Sequence, residues 1–229
     1  MIRRFTIIEL LIVVAILAIL FSILLPSLRK ARDKAHRAVC LSNVSQIYRI
    51  SATYSLHNDK RLLAPYTHNG LRFLYVIDGK IFKSLNLVSE DNNTAGTVFD
   101  CPANRNDPRG WRNLHKKSQF HMDHYSITTT LQNKSKFNGK NSPTFIHDPV
   151  GIAVTESIIK WPADPTWTGA HSKADRGGIW TKLKFDPIGY NSADSTGAAK
   201  WRWIDELDRG LPTWRGHARS RFWWSEKGL

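Results

Sequence analysis

Cysteine is almost absent: Cys40 and Cys101, 61 positions apart, are the only two in a chain of 229 residues. That excludes a C-x-x-C metal or redox motif and a disulfide-built scaffold. It allows one disulfide, the natural reading if the body lies outside the cytoplasm. Also missing are G-x-S-x-G, H-E-x-x-H and a phosphate-binding glycine loop, so no familiar nucleophile, zinc-hydrolase or nucleotide signature is present. Nine histidines invite a metal reading, with His115, His121, Asp123 and His124 close in sequence. A metal site needs roughly three or four converging ligands, and this pattern reads as polar surface. The expectation is a chain that is not an enzyme and has no metal centre. Acids are scarce too: 19 Asp+Glu against 33 Lys+Arg give a net charge of +14. Residues 1–60 hold nine cations and three anions, the remainder 24 and 16. The excess is therefore spread along the chain. It favours acidic partners such as anionic lipid, DNA or acidic polysaccharide.

What is present in abundance is a long apolar run near the start. From Phe5 to Leu28 the one charged residue is Glu9, and 19 uncharged residues separate it from Arg29. About 20 helical residues span a hydrocarbon core. An ordinary secretory signal is shorter and ends in a small-residue cleavage site; here the run passes into Pro26, Ser27, Leu28 and then "RKARDKAHR". The expectation is a single membrane span. Arg3 and Arg4 precede it, whereas Arg29, Lys30, Arg32, Lys34 and Arg37 follow it. Lys and Arg normally gather on the cytoplasmic side, so this distribution would hold the large domain inside the cell unless a dedicated pathway overrides it. A charge inside such a segment costs on the order of 2.5–3.5 kcal/mol, so Glu9 calls for a compensating partner or a position near the headgroups.

The string "FTIIELLIVVAILAILFSILLP", carrying Phe5, Thr6, Ile7, Ile8, Glu9 and Pro26, closely resembles the N-terminus of type IV prepilins and of the pseudopilins of type II secretion. The resemblance implies cleavage by a prepilin peptidase between Arg4 and Phe5, N-methylation of Phe5, and pairing of Glu9 with the freed Phe5 amine of a neighbouring subunit. Such a pair would recover much of the desolvation cost and set the register of helices entering a filament. The family carries Gly before the cut, where this chain has Arg4. Without the cut, Glu9 would need another cation, such as Arg3 or Arg4 snorkelling from a neighbour.

Pro26 lacks an N–H and its ring clashes with the preceding turn, so a kink or local melting is expected there. Beyond it, Leu28, Ala31, Ala35, Ala38/Val39, Val44, Ile47, Tyr48 and Tyr54 recur at helical steps. Helix from Phe5 to about His57 would be roughly 80 Å long at 1.5 Å per residue. Its apolar stripe should pack on the body, while its basic face is a solvated surface or a lipid-headgroup site. Cys40, Asn43, Gln46 and Ile47, with Cys101-Pro102 further on, resemble a "C-x-x-N-x-x-Q-I … C-P" pattern of pseudopilin-like proteins. The likeness supports a Cys40–Cys101 disulfide, worth about 2–5 kcal/mol.

After Asn58 the helical period fades into short apolar runs between turn signals. Asp78-Gly79 between "FLYVI" and "KIF" is a hairpin signal. "GYNSADSTGAAKWRW", with Asp194, Gly197 and Trp201, loosely resembles the family's terminal hairpin. The expected fold is α+β and pilin-like: a long kinked N-terminal helix, its first half transmembrane, on a mostly antiparallel head with long loops. Residues 1–4 would be a short cytoplasmic leader, 5–57 the pilin-type helix with its span over about 5–28, and 58–229 an extracytoplasmic β-rich head. No cofactor is expected, although Asp186, Asp194 and Asp205 offer carboxylates for a structural calcium of the kind that major pseudopilins often hold in a C-terminal loop.

Eight of the nine tryptophans lie in the last third. Trp201 and Trp203 alternate with Arg202 and would share one face of a strand; Trp223 and Trp224 stand among cations at the C-terminus. They either pack the core of a thin head or form a stacking surface for sugars or single-stranded bases. The resulting expectation is a pilin-like subunit of a type II secretion pseudopilus or related type IV filament, held in the bacterial inner membrane with its N-terminus cytoplasmic and its head periplasmic or extracellular. Its partners would be membrane lipid, prepilin peptidase and other pilin-like subunits. The rival reading is a membrane-anchored module that binds polysaccharide or DNA.

Overall fold

The computed structural model describes residues 6–64, 66–68, 71–73, 76–85, 98–99, 101–102, 119–121, 125–127, 146, 152–156, 159–160, 167–168, 188–203, 209–212 and 221–224. Arg4, Phe5, His115, Asp123, His124, Asp186 and Asp205 lie outside these residues. Two compact units make up the chain, Met1–His36 and Arg37–Leu229. The layout is α+β: one long helix at the start, then short antiparallel strands.

Helix α1 runs from Ile7 to Leu56. It starts at Thr6, whose N–H and hydroxyl both donate to Glu9 Oε2 at 2.8 Å, while Glu9 N–H donates back to Thr6 Oγ1 at 3.3 Å. This is a reciprocal capping box, satisfying N–H groups that a helix start leaves without intrahelical partners. Every residue from Thr6 to Arg32 is exposed. The helix is long and apolar enough to cross a membrane, and none of its most apolar stretch is buried. It passes unbroken through Pro26, so the expected local melting is not found. On either side of the proline, Ser22 and Ser27 donate their hydroxyls to the carbonyls of Ile19 and Leu24, at 2.7 and 2.8 Å.

Burial of α1 starts at Cys40, and Cys40, Asn43, Val44, Ile47, Tyr48, Ser51 and Ser55 form its inner face. The expected packing stripe is therefore shorter than its sequence pattern: Leu28, Ala31, Ala35, Ala38 and Val39 are all exposed. The helix ends in an abrupt reversal. Asp59 and Lys60 take left-handed conformations, with φ of 50° and 62°, and Lys60 N–H reaches back to Ser55 O at 2.9 Å. Leu62 and Leu63 are thereby folded into the core, with Leu63 N–H held by Ser51 Oγ at 2.8 Å.

The strands are β1 (Tyr66–His68), β2 (Leu71–Phe73), β3 (Val76–Asp78), β4 (Gln119–His121), β5 (Tyr125–Ile127), β6 (Ile152–Glu156), β7 (Ile159–Lys160), β8 (Trp167–Thr168), β9 (Gly189–Asp194), β10 (Ala199–Trp203), β11 (Arg209–Pro212) and β12 (Arg221–Trp224). They form two four-stranded sheets, ordered β10-β9-β6-β5 and β11-β12-β7-β8, and two pairs, β1-β2 and β3-β4. Each described pairing is antiparallel. Asp78-Gly79 does not turn a hairpin: Asp78 Oδ1 accepts Lys80 N–H at 2.8 Å and opens a short helix α2 (Gly79–Ser84). An aspartate can cap a helix as readily as start a turn, and β3 pairs with the distant β4.

The β9–β10 hairpin over 189–203 is present. Its turn is organised by Asp194, whose Oδ1 accepts Thr196 N–H, Thr196 Oγ1–H and Ala198 N–H at 2.9, 2.6 and 3.1 Å. Gly197 has φ +85°, and a Cβ there would stand 2.8 Å from the Tyr48 ring. The Tyr48 hydroxyl donates to Ser195 O, fastening the turn to α1.

Two substitutions test these backbone constraints in urea unfolding of the detergent-solubilised chain. Gly197→Ala should destabilise by about 2–4 kcal/mol, combining strain at positive φ with a clash on Tyr48. Lys60→Gly should stabilise by about 0.5–1 kcal/mol, because glycine adopts the left-handed region without steric cost.

Candidate functional site

The apolar segment and the head each carry an acid among apolar residues. In the head it is Glu156, the last residue of β6, between "IAVT" and "SII". Its side chain is 2 % exposed. Asn191 of β9 donates to both carboxyl oxygens, through its backbone N–H at 2.7 Å and its Nδ2 at 3.0 Å. Nδ2 also donates to Arg37 O on α1 at 3.2 Å. One asparagine thus ties a strand carboxylate to the helix backbone. Burial without such donors would cost several kcal/mol.

Cys40 of α1 and Cys101 are both fully buried, with Sγ atoms 2.6 Å apart. That separation exceeds the roughly 2.05 Å of a disulfide bond, and it brings together the pair singled out in the sequence. One carboxyl oxygen of Glu156 and both sulfurs lie within 4.8 Å of one another. Tyr125 of β5 stands against the same groups. Burial pushes its phenol well up, and the negative charges of Cys101, Cys40 and Glu156 push it further. Asn43 Nδ2 donates to its hydroxyl at 3.1 Å. Of the "C-x-x-N-x-x-Q-I" residues, Cys40, Asn43 and Ile47 face inward, whereas Gln46 is exposed and bonds Ser42 Oγ at 3.0 Å.

Sequence reasoning missed Glu156, Tyr125 and Asn191. The available signal was the one that drew attention to Glu9, a lone acid inside an apolar run. Of the tryptophans whose burial is described, Trp201 is half-buried and Trp203 exposed. In β10 it is Arg202 that turns inward, 2 % exposed, with Nε bonded to Ser192 Oγ at 2.7 Å. Trp203 is 51 % exposed and meets Trp201 edge-to-face at 5.9 Å. The Arg37 guanidinium stacks on Trp201 at 5.0 Å from the ring centroid. A side chain at Gly189 would collide with the Trp201 ring, which explains the glycine there. Trp223 and Trp224 belong to β12 in the other four-stranded sheet. Among the three acids considered for calcium, Asp194 is described, and its Oδ1 serves its own turn.

Compared with models of known protein families, with curated proteins and with solved structures, the chain matches none of them.

Replacing Asn191 by Ala removes the bonds to Glu156 Oε1 and Arg37 O. The expected loss is about 2–4 kcal/mol, dominated by the weakened support of a buried carboxylate, and a lowered urea midpoint would record it.

Proposed function

We propose that this chain is a pilin-like structural subunit of a type II secretion pseudopilus or a related type IV filament. In this reading it is made as a precursor, cut by prepilin peptidase between Arg4 and Phe5 and methylated on Phe5. It sits in the bacterial inner membrane with its N-terminus cytoplasmic and its head outside, where the buried Cys40–Cys101 pair is oxidised to a disulfide. The observation that carries the reading is an apolar helix whose surface is exposed from Ile7 to Leu28 and whose one charged residue there is Glu9. Lipid can cover such a surface before assembly, and sister helices can cover it afterwards.

The capping box refines the role of Glu9. Both Thr6 donors fall on Oε2, and neutral donors solvate the carboxylate without cancelling its charge. Within the filament the cancelling cation is the Phe5 amine of a neighbour. Helix capping and subunit pairing are separable, because Gln also serves at the third position of a capping box.

A second reading has its own support. Trp203, Trp201 and Arg37 form an aromatic–cation surface beside an edge strand, suited to a monomeric anchored module that holds polysaccharide or DNA.

Glu9→Gln and Glu9→Ala in the producing cell separate the readings. Both variants should insert normally and fail to assemble, with Gln failing despite an intact cap. Thr6→Ala should weaken the helix start by about 1 kcal/mol and still assemble. Mass spectrometry of the wild-type N-terminus should find methylated Phe5. Wild-type polymer yield from Glu9→Gln, or an intact Met1, would refute the filament reading.

A further inference from the structure

A disulfide between Cys40 and Cys101 gives no role to the carboxyl group beside it. Glu156 is nonetheless placed with care: Asn191 supplies an N–H to each oxygen, and Asn191 is itself anchored on the helix carbonyl of Arg37. Its oxygen and the two sulfurs share one buried spot within 4.8 Å. Three such donor atoms gathered in one buried spot can converge on a single divalent cation. Bonds from Asn191 to a ligating carboxylate are also what an outer coordination shell supplies: they fix the ligand's orientation.

We propose that the dithiol form of this chain binds one zinc ion through Cys40 Sγ, Cys101 Sγ and a carboxyl oxygen of Glu156. Two thiolates and one carboxylate suit zinc and disfavour calcium or magnesium, which select oxygen ligands. Three protein ligands leave the fourth tetrahedral position to water. With Zn–S bonds near 2.3 Å, tetrahedral geometry sets the sulfurs about 3.7 Å apart, so they part by about 1 Å from the observed 2.6 Å. Cys40 is fixed within α1, whereas Cys101 belongs to neither helix nor strand, so the movement falls to Cys101. Binding breaks two S–H bonds, forms two Zn–S bonds and one Zn–O bond, and releases two protons. Oxidation of the pair to the disulfide removes both thiolates and abolishes the site. The site is thus specific to one redox state, and it stands whether or not the chain assembles into filaments.

The test uses the full-length chain in detergent micelles. Tris(2-carboxyethyl)phosphine supplies two electrons to the disulfide and takes up oxygen from water, whose protons complete the thiols. After its removal, zinc chloride is titrated against a chromophoric chelator, and cobalt(II) replaces zinc for absorption spectra. The reduced chain should bind one zinc with release of two protons, and the cobalt form should show thiolate charge-transfer bands. The chain kept oxidised should bind none at that affinity. Glu156→Gln should bind zinc at least about 10-fold more weakly, because losing a ligand costs no less than losing its outer-shell support. Cobalt spectra of the wild type provide a readout that does not depend on this variant folding. Absence of stoichiometric zinc in the reduced wild type, equal binding by the oxidised chain, or unchanged affinity in a folded Glu156→Gln would overturn the proposal.

Discussion

A carboxylate removed from bulk water must recover its lost hydration from donors or cations, a constraint the chain meets at Glu156 and that would fall on Glu9 if its helix enters lipid. At Glu156 the answer is internal. Two N–H groups of Asn191 reach the two oxygens, and the asparagine is held in turn by the helix backbone. At Glu9 the donors are those of the helix's own first turn. They satisfy geometry at the start of α1, but the residues that follow are exposed and apolar. Glu156 belongs to a buried core; Glu9 stands on an exposed apolar surface.

The core around Glu156 explains how a single helix belongs to the head from Arg37 onward. Apolar packing of Val44, Ile47 and Tyr48 against Ile127, Val154 and Ala193 supplies the non-directional part. Directional contacts then fix the register: Asn43 on Tyr125, Tyr48 on Ser195, and Asn191 on Arg37. Sliding the helix by one turn would leave several buried polar groups without partners, at about 1–3 kcal/mol each. From Arg37 onward these contacts hold α1 in one register on the strands of the same compact unit.

Much of this was legible in the sequence where one physical signal dominated. The apolar run gave the helix, which is long and apolar enough to cross a membrane, and the turn-rich "GYNSADSTGAAKWRW" gave the β9–β10 hairpin. Legibility failed where two mechanisms share a residue pattern. Asp78-Gly79 serves a hairpin or a helix cap, and only the distant pairing of β3 with β4 selects the cap. The Ala31–Ala35–Ala38 stripe has the spacing of a packed face, yet all three residues are exposed. Strand alternation correctly separated Arg202 from the two tryptophans but could not say which side was inward. Ser192 supplies a bonded partner for Arg202, and Arg37 covers one face of Trp201. Glu156 stood out as a lone acid in an apolar run, but its partners, 35 residues away on another strand, were not legible.

The local cap and the proposed intersubunit pair at Glu9 reinforce each other. Before cleavage a leader precedes the capping box; cleavage after Arg4 would place a charged amine one residue ahead of Thr6. Both bonds from Thr6 converge on Oε2, so the cap itself makes no demand on Oε1. A capped carboxylate is also preorganised, since its rotamer is fixed before a neighbour arrives and less side-chain entropy is lost on pairing. The threonine would then improve the affinity of a contact it does not touch. The charge on Glu9 would still decide whether the contact forms at all, because in hydrocarbon an oriented but unneutralised anion remains unfavourable.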